Sequence, residues 1–188
     1  MSRNAKIALI VVGTILVLCV GACGLGWFAL QRFGDQFNNP SSGQEIGSQI
    51  ADYALPEGYV ERGINLLVYK MVVIAPEDGN GGSDSLVFML MNTSAGAANE
   101  QEMERAMQQS FQQQFNRNGG TTHVVGTEHV MIRGKDTVLT IAENDSKPPL
   151  KQVVGTFSGK NGVVILMVIG AKNTWNDTLF KNFVASIQ

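Results

Sequence analysis

The two histidines are the side chains in this chain best suited to metal binding or acid–base chemistry. They are His123 and His129, and Glu128 and Glu143 lie near them in the sequence. On a continuous strand, residues six positions apart share a face but stand roughly 20 Å apart, because each residue advances the strand by about 3.3 Å. That separation is too large for one metal ion. A bulge at Gly126 would bend the strand and bring a carboxylate into reach, but ordinary strand histidines are the preferred interpretation.

A glycine-rich loop carries a second set of oxygen ligands. Asp78, Asn80 and Asp84 resemble part of a calcium-binding loop. The spacing does not fit, because the fifth and twelfth positions of that loop would be Gly82 and Met89, which are unsuitable ligands. The loop also lacks the lysine and the following helix of a phosphate-binding loop. We predict a flexible connection between two strands.

Nucleophile motifs are absent from the sequence. It contains neither G-x-S-x-G nor S-x-x-K. Both cysteines, Cys19 and Cys23, lie in an N-terminal apolar run, so the rest of the chain has no disulfide and no cysteine metal ligand. Met89, Met91 and Met167 lie in apolar strands, which favours core packing over copper binding. We therefore expect no catalytic, cofactor-binding or metal-ligating residues, and no cofactor.

The N-terminal apolar run has the length of a membrane span. No residue from Ile7 to Leu30 is charged. At helical rise this run covers roughly 36 Å, enough to cross a bilayer core of about 30 Å. We predict a transmembrane helix over residues 7–31, after a cytoplasmic tail of residues 1–6. Arg3 and Lys6 precede the run, and the positive-inside bias then places the C-terminal part outside the cytoplasm.

Two other interpretations of this run are open. A cleaved secretory signal would end near Val20–Ala22, and a bacterial lipoprotein would be lipidated at Cys23. In both cases the mature chain should turn polar after the site, whereas residues 24–30 continue the apolar run. We therefore prefer the uncleaved anchor. Ala22 and Gly26 form a small-xxx-small pair that would let two anchors pack closely, but small residues are common in such helices, and this ordinary interpretation is preferred.

Charge is unevenly distributed along the chain. Of the 14 basic and 16 acidic residues, three basic ones and no acidic ones precede position 33, which leaves a formal net charge of −5 for the remainder. An acidic domain without a Lys/Arg stripe is a poor candidate for nucleic-acid binding. We expect the lipid bilayer as a partner, through the N-terminal helix, together with a membrane protein or a second copy of the chain.

After a predicted linker over residues 32–43, residues 44–188 are long enough for one domain. Three helices are predicted: a short one containing Ile46, Ile50 and Tyr53, a longer one over Asn99–Asn116, and a C-terminal one capped by Thr174. Strands are predicted between them, with tight hairpin turns at Gly134-Lys135 and Asn161-Gly162. The predicted strands are Leu66–Ile74, Leu86–Met91 and four more between Thr122 and Gly170.

The strand patterns predict how these elements pack. Leu66–Ile74, Leu86–Met91 and Val163–Ile169 are apolar at nearly every position, which indicates that both of their faces are covered. Short hairpin connections favour an antiparallel sheet. We therefore predict an α+β domain, an antiparallel sheet with helices on both faces, behind the N-terminal transmembrane helix. The alternative is a two-layer fold whose exposed sheet face is used for dimerisation.

The globular part resembles a known family. Leu55-Pro56-Glu57-Gly58-Tyr59 before a strand, and the Gly162–Ile169 strand followed by Trp175 and Phe183, are similar to the PsbP/Mog1/DcrB-type domain. The resemblance covers about residues 50–188 and implies an antiparallel sheet sandwiched by helices. It also implies a membrane-associated accessory, assembly or binding subunit without catalytic residues.

These observations together predict a single-pass membrane protein with an extracytoplasmic domain. The absence of disulfides from such a domain is typical of bacterial proteins. The predicted function is that of a non-catalytic accessory, scaffold or binding protein. A metal-assisted hydrolase and a small-ligand carrier are the alternatives.

Overall fold

A computed structural model describes residues 40–65, 69–78, 84–93, 122–145 and 147–188 of the chain. The chain divides into two units between Asn38 and Asn39, and all described residues belong to the second unit. The predicted transmembrane run and the predicted helix Asn99–Asn116 lie outside the described residues. Within the described part of the chain, no helix has the length and apolar character needed to cross a membrane.

Seven antiparallel strands form one sheet in the order β1-β2-β3-β7-β6-β5-β4. The strands are β1 (Tyr59–Asn65), β2 (Tyr69–Pro76), β3 (Leu86–Thr93), β4 (Thr122–Ile132), β5 (Lys135–Asn144), β6 (Leu150–Gly159) and β7 (Gly162–Ala171). Two helices flank the run of strands in the sequence, α1 (Pro40–Ile50) and α2 (Asp177–Ser186). A 3-10 turn (Lys172–Thr174) separates β7 from α2.

Two tight turns connect the C-terminal strands, close to where the sequence predicts them. Arg133 and Gly134 both have positive φ, 52° and 73°, in the turn between β4 and β5. This turn lies one residue earlier than predicted, because Lys135 already belongs to β5. At the β6–β7 hairpin, Gly159 pairs with Gly162, whose φ is 122°. Glycine adopts these conformations at little cost, which fixes the position of each turn.

One face of the sheet carries the main hydrophobic core. Alternate residues of β7 are buried, as expected for a strand with one covered face. The core combines these with residues of α1, α2 and the other strands. Its largest buried members are Ile50, Ile74, Leu86, Phe88, Leu90, Ile132, Leu139, Phe157, Leu166, Phe180 and Phe183. The rings of Phe88 and Phe183 lie 4.2 Å apart and join β3 to α2. Both helices therefore pack on the same face.

The prediction of an α+β domain with helices on both faces of the sheet is wrong. The described residues form mostly a seven-stranded antiparallel sheet with two α-helices. The prediction assumed that continuous apolar strands are fully buried on both sides. In the structure, Val164, Leu166 and Val168 are buried, whereas the alternating Ile165 and Met167 are only partly buried. An apolar strand sequence indicates low polarity on both faces, but it does not show what lies against each face.

Three element boundaries also differ from the sequence predictions. Helix α1 begins at Pro40, within the predicted linker, because proline suits the first turn of a helix. The edge strand β1 follows the Leu55–Tyr59 segment and was not separately predicted, since its sequence has no apolar run. The cap of α2 is Asn176 and not Thr174, because the Asn176 side chain accepts a hydrogen bond from the Leu179 N–H at 2.9 Å.

Candidate functional site

The two histidines lie on opposite faces of the sheet. His123 pairs with Glu143 of β5, whereas His129 pairs with Val138. The register shifts between Val124 and Gly126, so a β-bulge separates the two histidines and reverses the alternation of side chains. Directly opposite residues share a face of an antiparallel sheet, and Glu143 and Val138 lie on different faces. The bulge expected at Gly126 therefore moves the histidines apart instead of bringing them together.

The carboxylates near these histidines do not gather around either ring. Asp136 lies 3.0 Å from Nδ1 of His129, and both side chains are largely exposed. Glu143 forms an ion pair with Lys172 at 2.5 Å. No group of three His, Cys, Asp or Glu side chains arranged to hold a metal ion occurs in the described part of the chain.

The strand methionines lie outside the main core. Met71 pairs with Met91, and Met89 pairs with Met167, on the sheet face opposite the helices. All four are partly buried, and none belongs to the core cluster. Met131 of the edge strand β4 is exposed. These side chains thus form an apolar layer on the second face of the sheet.

The predicted connection between β2 and β3 falls mostly outside the described residues. Asp78 and Asp84 are described, whereas residues 79–83 between them are not. The predicted flexible connection, including Asn80, therefore lies mostly outside the described residues.

A cleft of about 400 Å³ lies between α1, the segment that follows it, and β1. Its polar lining comes from five side chains: Gln44, Ser48, Asp52, Tyr53 and Glu61. Its apolar lining comes from Ala51, Leu55, Tyr59 and Val60. Two carboxylates thus meet in one concave surface from segments nine residues apart in the sequence. The cleft has the size typical of small-molecule sites, although it is open to solvent.

The turn between β6 and β7 holds the C-terminal end of α1 in place. The Lys160 ammonium donates to the carbonyl oxygen of Ser48 at 2.9 Å, and the Lys160 N–H donates to the carbonyl of Ile50 at 2.9 Å. The Asn161 side chain donates to the carbonyl of Gln49 at 2.9 Å. These three carbonyls would otherwise lack partners at the end of the helix.

Lys160 also forms an ion pair with one of the two carboxylates of the cleft. Its ammonium lies 2.5 Å from Oδ1 of Asp52. Within the described residues, Glu61 forms no ion pair. The cleft therefore contains one carboxylate with a cationic partner and one without.

Two glycines let α1 approach β1 and Tyr53 closely. A Cβ at Gly43 would overlap the carbonyl group of Glu61, and one at Gly47 would overlap the hydroxyl of Tyr53. The glycines lie four residues apart, on one face of the helix. Because neither glycine carries a side chain, Tyr53 and Glu61 can lie against α1 at the wall of the cleft.

Tyr53 is the most unusual polar group of the cleft. Its hydroxyl is buried and has no hydrogen-bond partner in the structure. Burial raises the pKa of Tyr53, and the nearby carboxylate of Glu61 raises it further through its negative charge and by acting as a potential acceptor. The two groups interact, but their contact falls short of a formed hydrogen bond. The phenol is therefore held in its neutral form beside a carboxylate.

No protein-family model matches this chain, and no curated protein matches it. The resemblance to the PsbP/Mog1/DcrB-type domain therefore stays a prediction.

The sequence contained little signal for this cleft. Tyr53 was assigned to the apolar face of a helix, whereas it follows the end of α1. Asp52 and Glu61 line the same cleft, and Gly43 and Gly47 allow the helix to lie close to β1 and Tyr53. Two glycines spaced four apart in a short helix are the one feature that could have indicated a close approach.

Proposed function

We propose that this chain is a membrane-anchored, non-catalytic accessory, scaffold or binding protein with an extracytoplasmic domain. The observation that carries this proposal is the uncharged run from Ile7 to Leu30. A run of this length is favourable in a bilayer core and matches its thickness. Arg3 and Lys6 before the run support a cytoplasmic N-terminus.

The charge of the domain supports the same proposal. The chain after position 32 carries a formal net charge of −5, which disfavours nucleic acid and anionic lipid surfaces as direct ligands of the domain. Attachment to the membrane is therefore assigned to the N-terminal run. The domain remains available to a protein or to a small ligand.

The cleft favours binding over hydrolysis as the activity of the domain. A pocket that gathers a histidine and two carboxylates would favour a metal-assisted hydrolase. The cleft contains Asp52 and Glu61, but neither His123 nor His129 lines it. A small-ligand carrier is the second candidate function, because the cleft volume of about 400 Å³ falls in the range of ligand sites.

The proposal is tested by purifying the full chain from detergent-solubilised membranes through a C-terminal affinity tag. A protein recovered in stoichiometric amount, and absent when Val60→Arg or Leu55→Arg alters the cleft, would support an accessory or scaffold function. Lys181→Ala on the exposed side of α2 is the matched control. Recovery of the chain alone would contradict that function.

A further inference from the structure

The aromatic walls of the cleft between α1 and β1 are held in place by the core. The centre of the Tyr59 ring lies 6.0 Å from that of Phe88, and the Tyr59 hydroxyl accepts a hydrogen bond from the Leu86 N–H at 3.2 Å. The centre of the Tyr53 ring lies 5.6 Å from that of Phe183. Both tyrosines that line the cleft thus pack against the hydrophobic core. This part of the surface is preformed, as in most small-molecule sites.

The segment between α1 and β1, which forms another wall of the cleft, is fixed by the C-terminal residues. The backbone of Asp52 exchanges two hydrogen bonds with the backbone of Gln188, at 3.3 and 2.8 Å. The Ala54 N–H donates to Oγ of Ser186 at 3.1 Å. A ligand that binds in the cleft therefore does not have to order this segment, which lowers the cost of binding.

The cleft carries a negative charge that the described residues do not compensate. Asp52 pairs with the Lys160 ammonium, whereas the half-buried Glu61 has no cationic partner in the described part of the chain. Close to Glu61, the hydroxyl of Tyr53 is buried without a hydrogen-bond partner. Buried polar groups in native structures are nearly always paired. Two neighbouring groups of the cleft thus have bonding capacity that the described residues leave unused, which indicates a ligand.

We propose that the cleft binds a small organic ammonium ion, with its charged group beside Glu61 and its apolar body against the tyrosine rings, Leu55 and Val60. Ammonium N–H groups form strong, charge-assisted hydrogen bonds with a carboxylate. The faces of tyrosine rings also attract cations. The inference rests on the proposed binding function, because it names a ligand class for the small-ligand carrier.

The lining of the cleft disfavours other classes of ligand. An anion would meet the uncompensated charge of Glu61. A neutral apolar molecule would remove that carboxylate from water without giving it a partner, which costs free energy. A bare metal ion is disfavoured because no group of three suitable side chains occurs among the described residues. An organic cation matches both the charge and the apolar part of the lining.

Calorimetric titration of the full chain in detergent tests this proposal with three probes of similar shape. At pH 7 phenethylamine is a cation, phenethyl alcohol is neutral and hydrocinnamate is an anion. We expect the amine to bind at least about tenfold more tightly than either of the other probes, because only the amine carries a charge opposite to that of Glu61. Titration of each probe into detergent without protein gives the background. The comparison uses the unmodified chain, so it does not depend on the folding of a variant.

A pair of variants then tests the position of the ammonium group. Glu61→Gln keeps the shape of the side chain and removes its charge, so it should weaken amine binding at least about tenfold. Asp136→Asn removes the same charge from the exposed surface of β5, five strand spacings from β1, or roughly 24 Å at about 4.8 Å each. This control should bind the amine within about twofold of the unmodified chain. Equal binding of the three probes, or unchanged amine binding by Glu61→Gln, would overturn the proposal.

Failure of this proposal and failure of the proposed function give different results. A chain that stays in the membrane and retains a protein partner, but shows no preference for the amine, would overturn the ligand class alone. A chain that is extracted from the membrane by carbonate, but prefers the amine through Glu61, would overturn the membrane anchor alone and support the ligand class.

Discussion

The hydroxyl of Tyr53 lies against the Cα of Gly47, so closely that any side chain at position 47 would overlap it. Gly47 is inside α1, where glycine is less favourable than alanine by roughly 0.5–1 kcal/mol. The contact explains why the helix contains a glycine there. The contact also couples the position of α1 to the Tyr53 hydroxyl, which is buried in the cleft and has no hydrogen-bond partner.

Substituting these two residues should give strongly non-additive stabilities. Gly47→Ala alone is expected to lower the free energy of unfolding by about 1–3 kcal/mol, because the new methyl group overlaps a packed side chain. Tyr53→Phe removes the overlapping oxygen, so Gly47→Ala in that background should recover most of this loss. Urea unfolding of the four proteins measures the coupling, and additive effects would show that the contact does not constrain the helix.

Tyr53→Phe alone should change the free energy of unfolding by less than about 1 kcal/mol, or increase it. A buried hydroxyl without a partner has lost its hydrogen bonds to water, and phenylalanine removes that penalty. Urea unfolding at pH 7 measures the effect. A loss well above 1 kcal/mol would instead demonstrate a hydrogen bond to Glu61.

The raised pKa of Tyr53 predicts a loss of stability at alkaline pH. Above the ordinary pKa of 10.0, the unfolded chain releases the phenol proton while the folded chain retains it. The folded state then binds more protons than the unfolded state, so stability falls as pH rises, by at most about 1.4 kcal/mol per pH unit. Between pH 10 and 12, the free energy of unfolding of Tyr53→Phe should fall less steeply with pH than that of the unmodified protein. Each protein is compared with its own free energy of unfolding below pH 9. Identical slopes for both proteins would contradict the raised pKa.

Lys160 should stabilise the end of α1. Lys160→Met removes the donor to the Ser48 carbonyl and the cationic partner of Asp52. We expect a loss of about 1 kcal/mol, since the Asp52 side chain is largely exposed and contributes little to the ion pair. Lys181→Met, on the exposed side of α2, is the matched control. Equal effects of the two substitutions in thermal unfolding would contradict the capping role.

Asn176 should stabilise α2 as its N-cap. Asn176→Ala is expected to lower the free energy of unfolding by roughly 1 kcal/mol, because the Leu179 N–H loses its acceptor. Asn173→Ala, in the exposed 3-10 turn, should change it by less than about 0.5 kcal/mol. If the two variants unfold alike, the helix does not depend on this cap.

The sequence predicted local elements better than it predicted their packing. The β6–β7 turn was recognisable because Asn161-Gly162 has the residue types that a two-residue hairpin requires. The strands β2, β3 and β7 were recognisable by their apolar runs. Periodicity could not show that both described helices share one face of the sheet, since that arrangement depends on contacts such as Phe88 with Phe183.

The candidate site was less predictable than the fold. Asp52 and Glu61 lie in different elements, and their proximity depends on how closely α1 approaches β1. The separation of His123 and His129 depends on the β-bulge at Val125, which moves them to opposite faces. The sequence prediction placed both histidines on one face because their even spacing puts them on the same side of a regular strand.

Alkaline carbonate extraction of the full chain tests membrane anchorage most directly. We predict that the chain stays in the membrane pellet, and that Val17→Arg with Leu18→Arg moves it to the supernatant, because a charge at the middle of a span costs roughly 2.5–3.5 kcal/mol. Complete extraction of the unmodified chain by carbonate would contradict the membrane anchor.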